Sequence, residues 1–143
     1  MINAYMQDNL IIKSTTYDVW GVPTYTENSA KGYFTFKTKL VRNQAGEQVV
    51  SSANVMLPVM TLGHQDKIVY DGNCLYRSAY NALTSYAIND AVSYNGVVYK
   101  ALKASLGIAV SNAEYWVVMK VYSILSIELK KDFSNRFLLI YLA

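Results

Sequence analysis

The chain carries one histidine, His64, and one cysteine, Cys74, so the side chains that most often supply nucleophiles, general bases and zinc ligands occur once each. Zinc sites need several such ligands at short spacing, and none is present here. His64 follows Gly63 in loop-like sequence, with no carboxylate placed at a spacing that would orient it as a base. Cys74 lies in a strand-like run, where a thiol behaves as a small apolar residue. Asp66, Asp71, Asp90 and Asp132 stand at strand starts and turns, where a carboxylate caps backbone N–H groups. No phosphate-cradling glycine loop and no G-x-S-x-G elbow occurs. The residues predict no active site, no metal and no cofactor, so the chain is not read as an enzyme. A lone cysteine also excludes an internal disulfide framework.

What remains is chemistry of contact. Lys37 and Lys39 share one face of a strand, and Lys130, Lys131 and Arg136 flank a late turn. They suit non-specific phosphate contacts, or else a solvated face that guards a strand edge. A net charge of +3 is mild and indicates no dedicated nucleic-acid patch. Hydrophobic residues make up 52% and charged ones 16%, against about 25% charged in a typical soluble domain. The 13 tyrosines, four phenylalanines and two tryptophans favour strands and surfaces that end against a partner. Asp18–Gly32, rich in turn formers, reads as a loop of 15 residues long enough to dock something, with Trp20, Val22 and Tyr25 as its contact side chains.

The elements that would position these groups are strands. Residues 9–17 read as the first. Tyr33–Arg42 and Glu47–Val59 read as a hairpin around Asn43-Gln44-Ala45-Gly46, with Phe34, Phe36, Thr38 and Leu40 on one face. Asp71-Gly72 and Asn95-Gly96 each sit between strand-like runs and predict two more hairpins. The strings around them, Asp66–Arg77 and Asp90–Lys100, are similar; shared turn chemistry accounts for that better than an internal duplication. Val121–Leu129 and Phe137–Leu142 form the last hairpin, with Leu125, Ile127 and Leu129 on one face. The final strand is apolar on both faces, as for a central strand or one covered by a neighbouring subunit. Ser78–Ser85 allows one or two helical turns. The first eight residues lack the basic and apolar regions of a signal peptide, and the longest apolar run, Phe137–Ala143, is far short of the roughly 20 residues of a membrane helix. No membrane partner is expected. The fold class is all-β, most simply a small antiparallel barrel or a sandwich.

Residues 33–77 resemble the head-closure and head-completion proteins (connectors or stoppers) of long-tailed phages. The resemblance rests on Phe36-Lys37-Thr38-Lys39-Leu40-Val41-Arg42-Asn43, then Gly46-Glu47, the strand Val49–Pro58 and the string Asp66-Lys67-Ile68-Val69-Tyr70-Asp71-Gly72. Tyr122–Ile127 and Arg136–Leu142 are similar to the two closing strands of that pattern. The resemblance implies a small connector-type β-barrel over 1–84 and 121–143. It further implies a homo-oligomeric ring of six or twelve copies in the virion neck, made in the host cytoplasm. A portal or adaptor ring would lie above it and a tail protein below. Packaged DNA would occupy the channel, touched non-specifically, with Lys37 and Lys39 as candidate contacts.

Residues 85–120 interrupt that pattern and resemble a small chitin-binding-type carbohydrate-binding module, through Asp90-Ala91-Val92-Ser93-Tyr94-Asn95-Gly96-Val97-Val98-Tyr99-Lys100-Ala101, Gly107 and Tyr115-Trp116-Val117-Val118. This implies an inserted three-stranded β module in which Tyr94, Tyr99, Tyr115 and Trp116 touch a glycan or a partner. Asn89 replaces the family's usual Gly, Val110-Ser111 its usual Pro, and Leu102-Lys103-Ala104 its exposed aromatic pair. The same aromatic residues also suit a small internal core. A glycan-binding virion decoration and a tail-completion or terminator protein are therefore alternatives to the connector reading.

Overall fold

The computed structural model describes residues 7–72, 74–132 and 135–143. In chain order its strands are β1 (Asp8–Tyr17), β2 (Pro23–Thr35), β3 (Lys39–Arg42), β4 (Gln48–Ser51), β5 (Ala53–Pro58), β6 (Lys67–Val69) and β7 (Leu75–Ala79). There follow β8 (Ser85–Tyr86), β9 (Asp90–Tyr94), β10 (Val97–Ala101), β11 (Ser105–Leu106), β12 (Trp116–Val118), β13 (Val121–Asp132) and β14 (Asn135–Leu142). No helix occurs among the described residues, and the fold is all-β.

Six strands close into an antiparallel barrel in the order β1-β2-β5-β14-β13-β6. Period-two patterning explains its core. Leu10 and Ile12, Val55 and Leu57, and Leu138, Ile140 and Leu142 point inward with Phe34, Ile68 and Tyr122. β13 carries a register shift between Ile124 and Ser126. Tyr122 and Ile124 face the core before it and Ile127 packs there after it, while Leu129 is exposed.

The pairings also fix polarity. β1, β5 and β13 run one way and β2, β14 and β6 the other, so the β1–β2 and β13–β14 turns leave the same end. The segment 59–66 crosses that end, with Met60 and Leu62 packed onto the core. From the opposite end emerge the β3–β4 hairpin and the chain that builds a second sheet.

That second sheet has the order β12-β10-β9-β7, beside a short β8–β11 pair. Residues 85–120 supply three of its strands, and β7 adds a fourth, parallel to β9. The sheet lies on the barrel wall: Ile11 and Val69, which face outward, pack with Cys74, Ala91, Val98 and Met119. The Tyr70 N–H donates to the Lys120 carbonyl at 3.1 Å where the chain leaves and re-enters the barrel.

Four expectations need correction. Most of Asp18–Gly32 is strand: only 18–22 form the turn, because ten consecutive residues of β2 pair with β1. Neither arm of the hairpin Tyr33–Arg42 and Glu47–Val59 is one strand, since β2 ends at Thr35 and β3 starts at Lys39, and β4 ends at Ser51 before β5 enters the barrel at Ala53; Phe34 is buried while Phe36 and Leu40 are exposed. Asp71-Gly72 is not a hairpin turn, because β6 already has β1 and β13 on its two edges and the chain must cross to the second sheet. Ser78–Ser85 is not helical; Ser78 has φ 82° at the irregularity in β7. Asn95-Gly96 is a hairpin turn, with φ 52° and 77° at its two residues. The connection between the last two strands, 133–134, lies outside the described residues, as does Asn73.

Candidate functional site: a projecting hairpin arm

β1 outruns its neighbours. Its pairing with β6 stops at Lys13, and β2 meets β5 only at Tyr33–Thr35. Ser14–Tyr17 therefore pair only with Pro23–Thr26, a two-stranded arm standing about 14 Å off the barrel at about 3.4 Å per residue. The turn at its tip is built by Asp18, whose Oδ1 accepts the N–H of Trp20 at 2.8 Å and of Val22 at 2.9 Å. Gly21 supplies the positive φ, 78°. This local bonding holds the turn without help from the rest of the molecule.

The tip is apolar and bare. Val19 is 93% exposed and Trp20 86%, with Tyr17 and Val22 also open. Soluble surfaces carry scattered apolar side chains, whereas here four are gathered at one tip. Tyr25, the third residue expected in the docking loop, braces the arm: its ring lies so close to Gly96 that a Cβ there would stand 2.9 Å from it. The Lys13 ammonium lies over the same ring, 5.3 Å from its centroid.

The aromatic residues of the second sheet divide by position. Trp116 is 2% exposed, packed edge-on to Tyr80 and Tyr86, and its indole N–H donates to the Ile108 carbonyl at 3.1 Å. Tyr80 donates to the same carbonyl. Tyr99 and Tyr115 are half-buried against this cluster, and Tyr94 is exposed at the turn. Among the described residues Tyr94, Tyr99, Tyr115 and Trp116 form no stacked pair with one another; the ring contacts of Tyr94 and Trp116 are edge-on. Beside β12, Tyr99, Leu102, Val110, Val117 and Val118 line a concavity of about 420 Å³.

Lys37 is exposed between β2 and β3, and Lys39 donates to the Tyr141 hydroxyl at 3.0 Å while covering its ring. That contact, and the Lys130–Glu128 pair at 3.1 Å, take up two of the five cations proposed for phosphate. Lys131 and Arg136 sit opposite each other across β13 and β14. His64 lies in the turn 63–66 that Asp66 caps through the Gly63 N–H. Cys74 is buried, and burial pushes its thiol pKa up, so the thiolate needed for attack is disfavoured. Among the described residues no three metal-ligating side chains come together.

The projecting arm could not be found by spacing. Strand overhang depends on where the neighbouring strands stop, which no local pattern records; only the apolar content of Val19-Trp20-Gly21-Val22 was visible. No protein-family model matches the chain, and no curated protein and no solved structure matches it either.

Proposed function

We propose that the protein is a structural component of a tailed-phage virion: a head–tail connector whose barrel assembles into a ring in the neck, closing the portal channel and giving the tail its platform. The observation that carries the reading is the rigid arm with its bare apolar tip on a closed barrel. A closed barrel has no free sheet edge of its own to pair. A long arm with an unsatisfied apolar end gives such a barrel a defined contact with neighbours. The sequence resemblance over residues 33–77 and the closing strands supplies the phage context. The mechanism is mechanical: heterologous contacts between copies close a ring of six or twelve, between a portal or adaptor ring and a tail protein, around DNA held without sequence preference. The burial of Trp116 weighs against the glycan-binding alternative.

The test is electron microscopy of particles made when the gene is silenced in its phage. Heads without tails, DNA lost and finished tails lying free, support the connector reading. Complete particles that keep their DNA overturn it.

A further inference from the structure

We infer that Asn95-Gly96 is a site of spontaneous covalent modification, deamidation through a cyclic imide, and that Tyr25 of the β1–β2 arm guards it. The inference does not depend on the neck assignment. It rests on the turn that joins β9 to β10 and on the ring that lies over that turn.

The reaction needs only water. The Gly96 amide nitrogen attacks the side-chain carbonyl carbon of Asn95 and gives up its proton; the carbon–nitrogen bond of the side-chain amide breaks and ammonia leaves. Water then opens the five-membered imide at either carbonyl, giving aspartate, or an isoaspartate whose main chain runs through the former side chain. A neutral residue becomes a carboxylate, and the isoaspartate adds one carbon to the backbone. Attack is easiest where the following residue has no Cβ, and Asn95 is the one asparagine in the chain that precedes glycine. It is exposed, and among the described residues its side chain makes no hydrogen bond. By contrast, Asn43 accepts the N–H groups of Ala45 and Glu47, Asn81 that of Leu83 and Asn112 that of Glu114. Asp71-Gly72 also offers a glycine nitrogen, but a carboxylate resists attack by an amide, and the Asp71 carbonyl is held by the Lys100 ammonium.

The fold sets the rate. Tyr94 pairs with Val97 across the turn, and φ values of 52° and 77° at Asn95 and Gly96 belong to a type I′ hairpin. Ring closure needs the Asn95–Gly96 peptide to rotate far from its setting in such a turn, so nitrogen and carbon meet when the hairpin opens locally. Tyr25 resists that opening. A Cβ on Gly96 would stand 2.9, 3.0 and 3.1 Å from three atoms of its ring, so the arm bears on the peptide that has to move. The opposition runs both ways: an isoaspartate lengthens a two-residue turn and displaces the surface on which Tyr25 rests.

The experiment is mass spectrometry of the purified chain during incubation at mildly alkaline pH, reading the tryptic peptide 78–100, which holds Asn81, Asn89 and Asn95 together. Wild type, Tyr25→Ala, Tyr25→Phe and Asn95→Gly are compared, native and in urea, with far-ultraviolet circular dichroism confirming the fold of each native sample. Tyr25 is 46% exposed and Gly-Gly is itself a type I′ pair, so the fold survives these changes. The native wild-type peptide gains about 1 Da at Asn95, as aspartate and isoaspartate, more slowly than in urea. Tyr25→Ala speeds the native reaction by about threefold or more, the effect of easier local opening, and leaves the rate in urea unchanged. Tyr25→Phe keeps the ring and behaves as wild type, and Asn95→Gly gains no mass at this turn. Native Asn95 still intact when the urea sample has reacted completely overturns the site. Equal native rates in wild type and Tyr25→Ala overturn the guard, as does an acceleration in Tyr25→Ala that Asn81 and Asn89 share, which would mean general unfolding.

Discussion

Gly32 sits where β2 changes neighbours, the last residue paired to β1 and the one before the pairing with β5 begins. A Cβ at that position would stand 2.6 Å from the Met56 carbonyl oxygen and 2.7 Å from a Leu57 methyl. The backbones approach this closely because the strand must bend there to close the barrel. Gly32→Ala forces them apart, and equilibrium urea unfolding should show a loss of about 1–3 kcal/mol, the usual cost of overpacking a tight interior; an unchanged midpoint would mean that the barrel wall gives freely at this point. Three buried or half-buried acids act together at alkaline pH. Burial is the largest cause raising Cys74 above its ordinary 9.0, and Tyr70 and Tyr76 above 10.0. The folded chain thus holds protons that the unfolded chain releases first, so these groups leave stability untouched below about pH 8 and erode it as pH climbs past about 9. Cys74→Ala should flatten the first part of that fall, measured as the slope of unfolding free energy against pH. An identical slope in the variant would remove the thiol from the account.

At the scale of elements, the β13–β14 hairpin places two like charges opposite each other. Lys131 and Arg136 are cross-strand partners on a stretch beyond the end of β5, and both are exposed. Like charges placed opposite each other destabilise a ribbon by the same few tenths to about 1 kcal/mol that opposite charges contribute. Lys131→Glu converts the clash to an attraction and should raise the thermal midpoint, most clearly at low salt; an unchanged midpoint would show that the pair is already screened. The same element view explains which parts of the fold could be read in advance. Asn95-Gly96 was legible because both residues take the positive φ that a two-residue hairpin needs, and the strands it joins are free to pair. Asp71-Gly72 has the same chemistry but follows a strand with both edges occupied, a fact set by β1 and β13 from far away in sequence. Asp18–Gly32 looked like a loop because Gly21, Pro23, Asn28, Ser29 and Gly32 are turn formers. Ten cross-strand pairs with β1 override that preference, as tertiary pairing commonly does in sheets. For Tyr94, Tyr99, Tyr115 and Trp116 the sequence left a glycan or partner contact and a small internal core both open, with no sign of the Tyr80 and Tyr86 rings that pack on Trp116; the arm was not legible at all, since its length is a difference between strands.

Among the described residues the barrel and the four-stranded sheet share a wall, with the β3–β4 and β8–β11 pairs beside them. Residues 85–120 read as an insertion, and an insertion joined only by its two connections would melt by itself. The contacts argue otherwise. Ile11 and Val69 from the outer face of the barrel pack with Cys74, Ala91, Val98 and Met119 of the second sheet, each nearly inaccessible to solvent. Lys100 reaches back to the Asp71 carbonyl, and Tyr25 lies on the Gly96 turn. Neither sheet can open without baring apolar surface on the other, so both should unfold in one transition. Met119→Ala tests the seam directly. It should cost about 2–5 kcal/mol, as for other large-to-small changes in a packed interior. That loss should appear equally in the fluorescence of Trp116 in the second sheet, read in a Trp20→Phe background that removes the exposed second indole, and in far-ultraviolet circular dichroism, to which the barrel contributes most. Two separated transitions in the wild-type chain, with Met119→Ala moving only the one reported by Trp116, would show instead that the barrel stands alone and carries the second sheet as cargo. Coincident transitions make the brace at Tyr25 part of the same cooperative unit, and the arm then projects from a body stiff enough to hold its tip in place.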